Sequence, residues 1–152
     1  MILVEPNDPL SAEASALLDA SQALMRRLYT PEQNNFLSHA ELAKPDIRFF
    51  TARIGTETLG CAALKVFAEY GEVKSFFVTD AARGRGIGAA LMRQIEDQAR
   101  AEGLSLLKLE TGDALAAAVR LYSRHGYTRC GPYGDYEENG SSVFMEKTLE
   151  SA

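Results

Sequence analysis

The chain has no tryptophan, two cysteines, two histidines and no apolar run long enough to span a membrane. Each scarcity excludes something. Cys61 and Cys130 show neither a CxxC nor a Cys/His spacing, which argues against a disulfide framework or a thiolate metal site. Two reduced thiols in a reducing cytosol are the expectation. His39 and His125 have no Cys, Asp or Glu at ligand spacing, so no metal is expected. No G-x-S-x-G occurs, which removes support for a serine hydrolase. Ile2-Leu3-Val4 is too short for a signal-peptide core, and a cytoplasmic location is expected. Acidic residues outnumber basic ones by 21 to 16, and the sequence pI is about 5.1. That balance argues against nucleic acid and anionic membranes as partners.

What is present suits a globular enzyme. The 152 residues are the size of one domain, and 46% of them are apolar. There is no repeat and no Pro/Ser linker, so residues 1–152 read as one domain. Ile2–Val4 predicts a first strand. Asp8-Pro9 predicts the N-cap and first position of an amphipathic helix carrying Leu17, Leu18, Leu24 and Leu28. Tyr29–Leu37 reads as a loop, and Ser38-x-x-Glu41 as a capping box opening a short helix before Pro45. Strands are predicted at Ile47–Ile54, Leu59–Phe67 and Glu72–Thr79. Consecutive Phe76, Phe77 and Val78 suggest burial on both faces. A helix follows from Ile87 to Glu102, stopped by Gly103. Then come a strand Leu104–Glu110, a helix Ala114–His125, a strand from Tyr127 to Cys130, a Gly-rich loop Gly131–Gly140 and a strand Ser142–Leu149. The order is β-α-α-β-β-β-α-β-α-β-β, an α/β fold with a mixed sheet.

The informative stretch is Arg83-Gly84-Arg85-Gly86-Ile87-Gly88, between a buried strand and a helix. Glycines let the backbone turn its N–H groups outward. A helix N-terminus adds unpaired N–H groups and positive partial charge. Together they predict an anion cradle fit for a diphosphate, reinforced by Arg83 and Arg85. The Gly-Lys-Ser/Thr of a P-loop is absent. A dinucleotide fingerprint fits Gly84, Gly86 and Ala89, but Thr79–Arg83 separates the strand from the glycines, which disfavours a nicotinamide-dependent oxidoreductase.

Arg83-x-x-Gly86-x-Gly88 resembles the R/Q-x-x-G-x-G/A signature of the GNAT superfamily of acetyl-CoA-dependent N-acetyltransferases. Ala118-Val119-Arg120-Leu121-Tyr122, running on to Gly126-Tyr127, resembles the family's A-x-x-L-Y-x-x-x-G-F/Y element. The likeness is firm over Glu72–Tyr127. It implies a mostly antiparallel, twisted sheet of six or seven strands flanked by about four helices, with two central strands splayed. The backbone of Gly84, Arg85, Gly86, Ile87, Gly88 and Ala89 is implied to hold the CoA diphosphate. Phe76, Phe77 and Val78 are implied to run beside the pantetheine arm, with Phe77 or Val78 donating to the oxyanion. Arg124 is implied to reach the 3′-phosphate. Leu115 departs from the pattern, standing where many members have Asn. A homodimer is a further possibility by analogy, and so is a coenzyme-binding module without turnover.

The chemistry sets the remaining expectations. A lysine-like amine has a pKa of about 10.4, so neutralising it at pH 7 costs roughly 4–5 kcal/mol, and a base must assist. Tyr122, matching the family tyrosine, is the expected acid for the leaving thiolate. Glu72 is the leading base by family position, and Glu110 is the alternative through water. Alternation along an unbroken strand would place Glu72, Lys74 and Phe76 on one face. Tyr29, Asn34, Tyr133 and Tyr136 lie in the two loops expected to contact a small primary amine.

Overall fold

The computed structural model describes residues 1–150. Its seven strands are β1 (Ile2–Pro6), β2 (Ile47–Ile54), β3 (Glu57–Val66), β4 (Gly71–Val78), β5 (Leu106–Gly112), β6 (Thr128–Cys130) and β7 (Ser142–Thr148). The helices are α1 (Ala12–Leu28), α2 (His39–Leu42), α3 (Ile87–Ala101) and α4 (Ala116–Arg124). The strands form one sheet in the order β1-β2-β3-β4-β5-β7-β6. Every neighbouring pair is antiparallel except β4 with β5. A parallel pair needs a long crossover, and α3 supplies it.

The sheet buries both faces. Leu107 and Leu109 of β5 pack with Val73, Ile87, Leu91, Ile95 and Tyr122 under α3 and α4. On the other face Phe49, Cys61 and Ala63 pack with Leu17 and Leu18 of α1 and Leu42 of α2. Ser38 and Glu41 form the expected reciprocal capping box at α2, with bonds of 3.1 and 3.0 Å.

Several boundaries differ from the sequence reading. The first helix begins at Ala12, not after Asp8. The Asp8 carboxylate closes its own turn by accepting from the Leu10 amide at 2.9 Å, and Ser11 caps the helix through the Ala14 amide. Strand β5 starts two positions late because the Leu104 amide still donates to Ala99 at the end of α3, past Gly103 with φ 78°. It continues to Gly112, which pairs with Ser142, so Glu110 lies inside the strand rather than at its end. Helix α4 starts at Ala116 because Leu115, with φ −93° and ψ 61°, is not helical and its amide closes a turn onto the Gly112 carbonyl, while the Ala114 amide donates to the Tyr29 hydroxyl at 2.8 Å.

The largest departure is in β4. Its register with β3 runs Ala63↔Lys74 and then Cys61↔Phe77, so Ser75 and Phe76 share one partner position. Ser75 has φ 50°, alone among the described non-glycine residues in being positive. Such a residue stores on the order of 1–3 kcal/mol of strain. The bulge reverses alternation: Phe76 and Val78 pack with the α3/α4 core, whereas Phe77 packs with the α1/α2 core. Glu72 and Lys74 therefore do not share a face with Phe76. Phe76, Phe77 and Val78 are only half-buried rather than enclosed on both sides, because the β5 side of this segment is open.

Gly60 of β3 lies beneath α3. A Cβ there would stand 2.8 Å from Ile87 Cγ2 and 2.9 Å from the Phe77 carbonyl. Gly60→Ala is expected to cost about 1–3 kcal/mol of stability, read as a lower urea midpoint. An unchanged midpoint would show that α3 does not press on β3 here.

Candidate active site

The site begins where two strands part. β4 pairs with β5 only from Gly71↔Leu107 to Val73↔Leu109. Beyond Val73 the bulge turns β4 away, while β5 continues along β7 as far as Gly112. The gap opens into a cavity of about 100 Å³. Lys74, Ser75 and Phe76 form one wall, and Glu110, Thr111 and Gly112 form the opposite wall. Leu115 just before α4 and Tyr122 within it also line the cavity, as do Asn35 and Phe36 from the loop after α1. The backbone edge is directional. The Thr79 amide donates to Leu59 of β3 at 2.9 Å, so alternation points the Val78 amide the other way, into the slot. The Phe77 amide faces β3, which removes it as a donor to the slot.

At one end of β4 lies the glycine turn. Gly84 and Gly86 have φ of 80° and 84°, values that only glycine adopts without strain. Gly86 is also the N-cap of the 15-residue helix α3. The amides of Gly84, Gly86, Ile87, Gly88 and Ala89 have no backbone partner among the described residues. Gly88 has a packing role as well, since a Cβ there would come within 3.0 Å of Leu121 on α4. Arg83 is held 3.3 Å from Asp80, and Arg85 and Arg124 are exposed.

Of the titratable groups lining the slot, Tyr122 and Glu110 bear on acyl transfer. Tyr122 is 5% exposed and meets the rings of Phe76 and Tyr127 edge-on, at 5.7 and 6.0 Å. Its hydroxyl has no partner among the described residues, yet it is not sealed off. Burial, and then the charge of Glu110, push its pKa far above that of a free tyrosine. It is therefore fully protonated at neutral pH. Glu110 Oε2 accepts from Ser142 Oγ at 2.6 Å and from Asn35 Nδ2 at 3.3 Å. Oε1 has no partner among the described residues. Burial raises the Glu110 pKa above the usual carboxylate value, against those two hydrogen bonds and the Lys74 charge.

Glu72 is placed differently. It is 4% exposed, and its Oε2 accepts from Tyr133 at 2.7 Å and from Tyr136 at 2.5 Å. Lys74 Nζ stands 3.7 Å from the same oxygen and donates to the Tyr136 hydroxyl and to the Asn35 carbonyl, at 2.7 and 3.1 Å. Glu72 does not line the slot.

The loop residues expected to touch the acceptor are also bonded to other parts of the protein. Tyr29 packs against Gly112, where no Cβ would fit, and its hydroxyl donates to Asp113 at 3.2 Å. Asn34 Nδ2 caps α1 through the carbonyls of Met25, Tyr29 and Thr30. Both still line the slot cavity. Tyr133 and Tyr136 are tied to Glu72, away from it. The sequence reading missed Asn35 and Ser142 as site residues. Ser142, at the polar start of the last strand, was the more legible, because β7 had to lie beside β5.

No group of three or more His, Cys, Asp or Glu converges among the described residues as a metal would require. Nor is any described helix long and apolar enough to cross a membrane.

A split sheet with an amide-lined turn at one end and a carboxylate and phenol inside it outlines an enzyme that transfers acyl groups. The comparisons make this specific. The model of the Acetyltransferase (GNAT) family matches residues 15–127. IAA acetyltransferase of Azospirillum brasilense is 42% identical over 150 residues, covering 97% of this chain and 98% of its own. A solved Klebsiella pneumoniae structure assigned as an acyl-CoA N-acyltransferase superposes with TM-score 0.84 at 29% identity, covering 99% of both chains. A GNAT acetyltransferase of Elizabethkingia anophelis, solved with acetyl-CoA bound, shares the fold at TM-score 0.68 and 20% identity, covering 97% of this chain and 98% of its own. The chain belongs to the GNAT family of acetyltransferases.

The raised pKa of Glu110 has a consequence for stability. Its folded pKa lies above its unfolded value, so the ionised form destabilises the fold. Its stabilising contribution is complete below the unfolded value of 4.5 and is lost as pH rises through the folded pKa. Glu110→Gln keeps an acceptor for Ser142 and Asn35 and removes the buried charge. The variant should melt above wild type at pH 8, and the gap should close below pH 4.5. A lower melting point at pH 8 would contradict the burial of charge at this position.

Proposed function

We propose that the chain transfers the acetyl group of acetyl-CoA to the primary amine of a small molecule, by direct attack while both substrates are bound. The carrying observation is that Glu110 and Tyr122 face one slot between the parted strands, with the unpaired amides of Gly84, Gly86, Ile87, Gly88 and Ala89 at its end, the Arg85 amide being bonded to the Ala82 carbonyl.

The residues fit the coenzyme. The amides of Gly84, Gly86, Ile87, Gly88 and Ala89 suit a diphosphate, with Arg83 and Arg85 adding charge. Arg124 is free to approach the 3′-phosphate. Phe76 and Val78 border the path of the pantetheine arm, and the Val78 amide faces it. Acetyl-CoA supplies an acetyl group already activated as a thioester.

The protein supplies position and proton transfer. An amine in the slot faces Glu110, whose Oε1 is unoccupied by other donors. Ser142 and Asn35 fix Oε2, so Oε1 is the oxygen that takes the proton. The raised pKa makes Glu110 a better base than an exposed carboxylate. This geometry favours Glu110 over Glu72, since Glu110 lines the slot and Glu72 does not. Tyr122 keeps its proton until a thiolate needs it, and its hydroxyl has no competing bond. The Val78 amide is the donor positioned for oxygen charge in the slot.

Release of free thiol from acetyl-CoA tests the assignment. Tyr122→Phe and Glu110→Gln should each lower kcat on the order of 10²-fold. Wild-type activity should fall as acid protonates Glu110. Unchanged turnover in Tyr122→Phe removes the phenol from its role, and unchanged turnover in Glu110→Gln removes the carboxylate.

A further inference from the structure

A second cavity, of about 280 Å³, lies beneath the Gly131–Gly140 loop. Its walls are aromatic: Phe67 and Tyr70 from the β3–β4 turn, and Tyr136 from the loop. Phe67 and Tyr70 stack with centroids 4.8 Å apart, and Tyr70 meets Tyr133 edge-on at 5.8 Å. Leu37 adds an aliphatic side. An apolar cavity of about 150 Å³ already accommodates a benzene ring, so this one has room for a substituted ring. Aromatic walls hold such a ring by offset and edge-on contacts.

Four charged side chains also line the cavity: Glu72, Asp135, Lys65 and Lys74. Glu72, its buried acid, is committed to Tyr133 and Tyr136. Its cations sit on the ring faces: Lys65 Nζ is 5.2 Å from the Phe67 centroid, and Lys74 Nζ is 5.4 Å from that of Tyr136. The neighbouring slot has a base but little room. Asn35 and Lys74 border both spaces. Through Asn35 alone the wall passes from Lys74 to Glu110, its carbonyl on one and its amide on the other.

We infer that the second cavity seats the aromatic ring of the acceptor, so that the substrate is a primary amine on a short arm from a ring. The ring packs among Phe67, Tyr70 and Tyr136, and the amine passes Asn35 to face Glu110. This rests on the acetyl-transfer reading for its chemistry but not for its binding.

The test compares 2-phenylethylamine with butylamine, by thiol release from acetyl-CoA and by calorimetric titration of each amine into the CoA-saturated protein. Wild type should favour the ring amine roughly tenfold or more in kcat/KM. Tyr70→Ala should bring that ratio towards one. Phe67→Leu, which keeps apolar volume and removes the flat ring, reads the same ratio if the first variant melts early. Equal use of the two amines by wild type, or an unchanged ratio in a folded variant of either kind, overturns the inference. Calorimetric preference for the ring amine without thiol release would uphold the cavity and sink the transfer reading. Release without ring preference would do the reverse.

Discussion

Two parallel strands that stay paired for three residues and then part create the space on which every other feature depends. A strand edge without a partner is costly, because each buried amide left unpaired forfeits about 1–3 kcal/mol. The bulge at Ser75 makes the parting tolerable. It bends β4 while the strand stays bonded to β3, and the Ser75 carbonyl accepts from the buried Cys61 thiol at 3.3 Å. Burial pushes that thiol up to about 12, so it remains a neutral donor. The edge-on pair Phe76–Tyr122 fills the space on the helical side, and the Glu72–Lys74–Tyr136 cluster fills it on the other. The slot is held open from both faces.

The same bulge separates two acids, of which the sequence ranks Glu72 ahead of Glu110. Glu72 and Glu110 both lie in central strands of the sheet. Glu72 stands before the parting, where the Gly131–Gly140 loop covers it with two hydroxyls. Glu110 stands after it, on the wall of the slot, where Ser142 and Asn35 hold one of its oxygens. Environment, not residue type, assigns their roles. Glu72 fastens a loop, and Glu110 carries an ionised form that its surroundings resist. Such a local conflict between charge and burial marks function more often than structure.

Regular elements were legible in the sequence because periodicity is a local property. β2 was read to the residue, and the element order was complete. The glycine turn was legible through the conformations it demands at Gly84 and Gly86. The errors arose where a distant segment decided the outcome. Strand β5 ran on to Gly112 through its pairing with β7, and a turn at Gly112–Leu115 delayed α4. The bulge, set by pairing with β3, reversed the face of Phe76. Glu72 was favoured from its strand position, but its partners Tyr133 and Tyr136 are 61 and 64 residues away. Asn35 was invisible as a site residue because nothing near it in sequence hints at Glu110, 75 residues on.

Those distant bonds also explain how segments without regular structure keep a fixed shape. The loop after α1 and the Gly131–Gly140 loop meet above β4, and neither has a sheet partner of its own there. Lys74 donates hydrogen bonds to the Asn35 carbonyl and the Tyr136 hydroxyl, and that hydroxyl donates to Glu72. One buried ion pair thus fastens both loops to the strand that forms the slot. Removing either charge would leave the other buried and unpaired, a cost of several kcal/mol that exceeds what the pair itself contributes. The loops that shape the acceptor side are therefore not free to vary independently of each other. Their geometry is coupled through β4 to the bulge, and through Asn35 to the carboxylate in the slot.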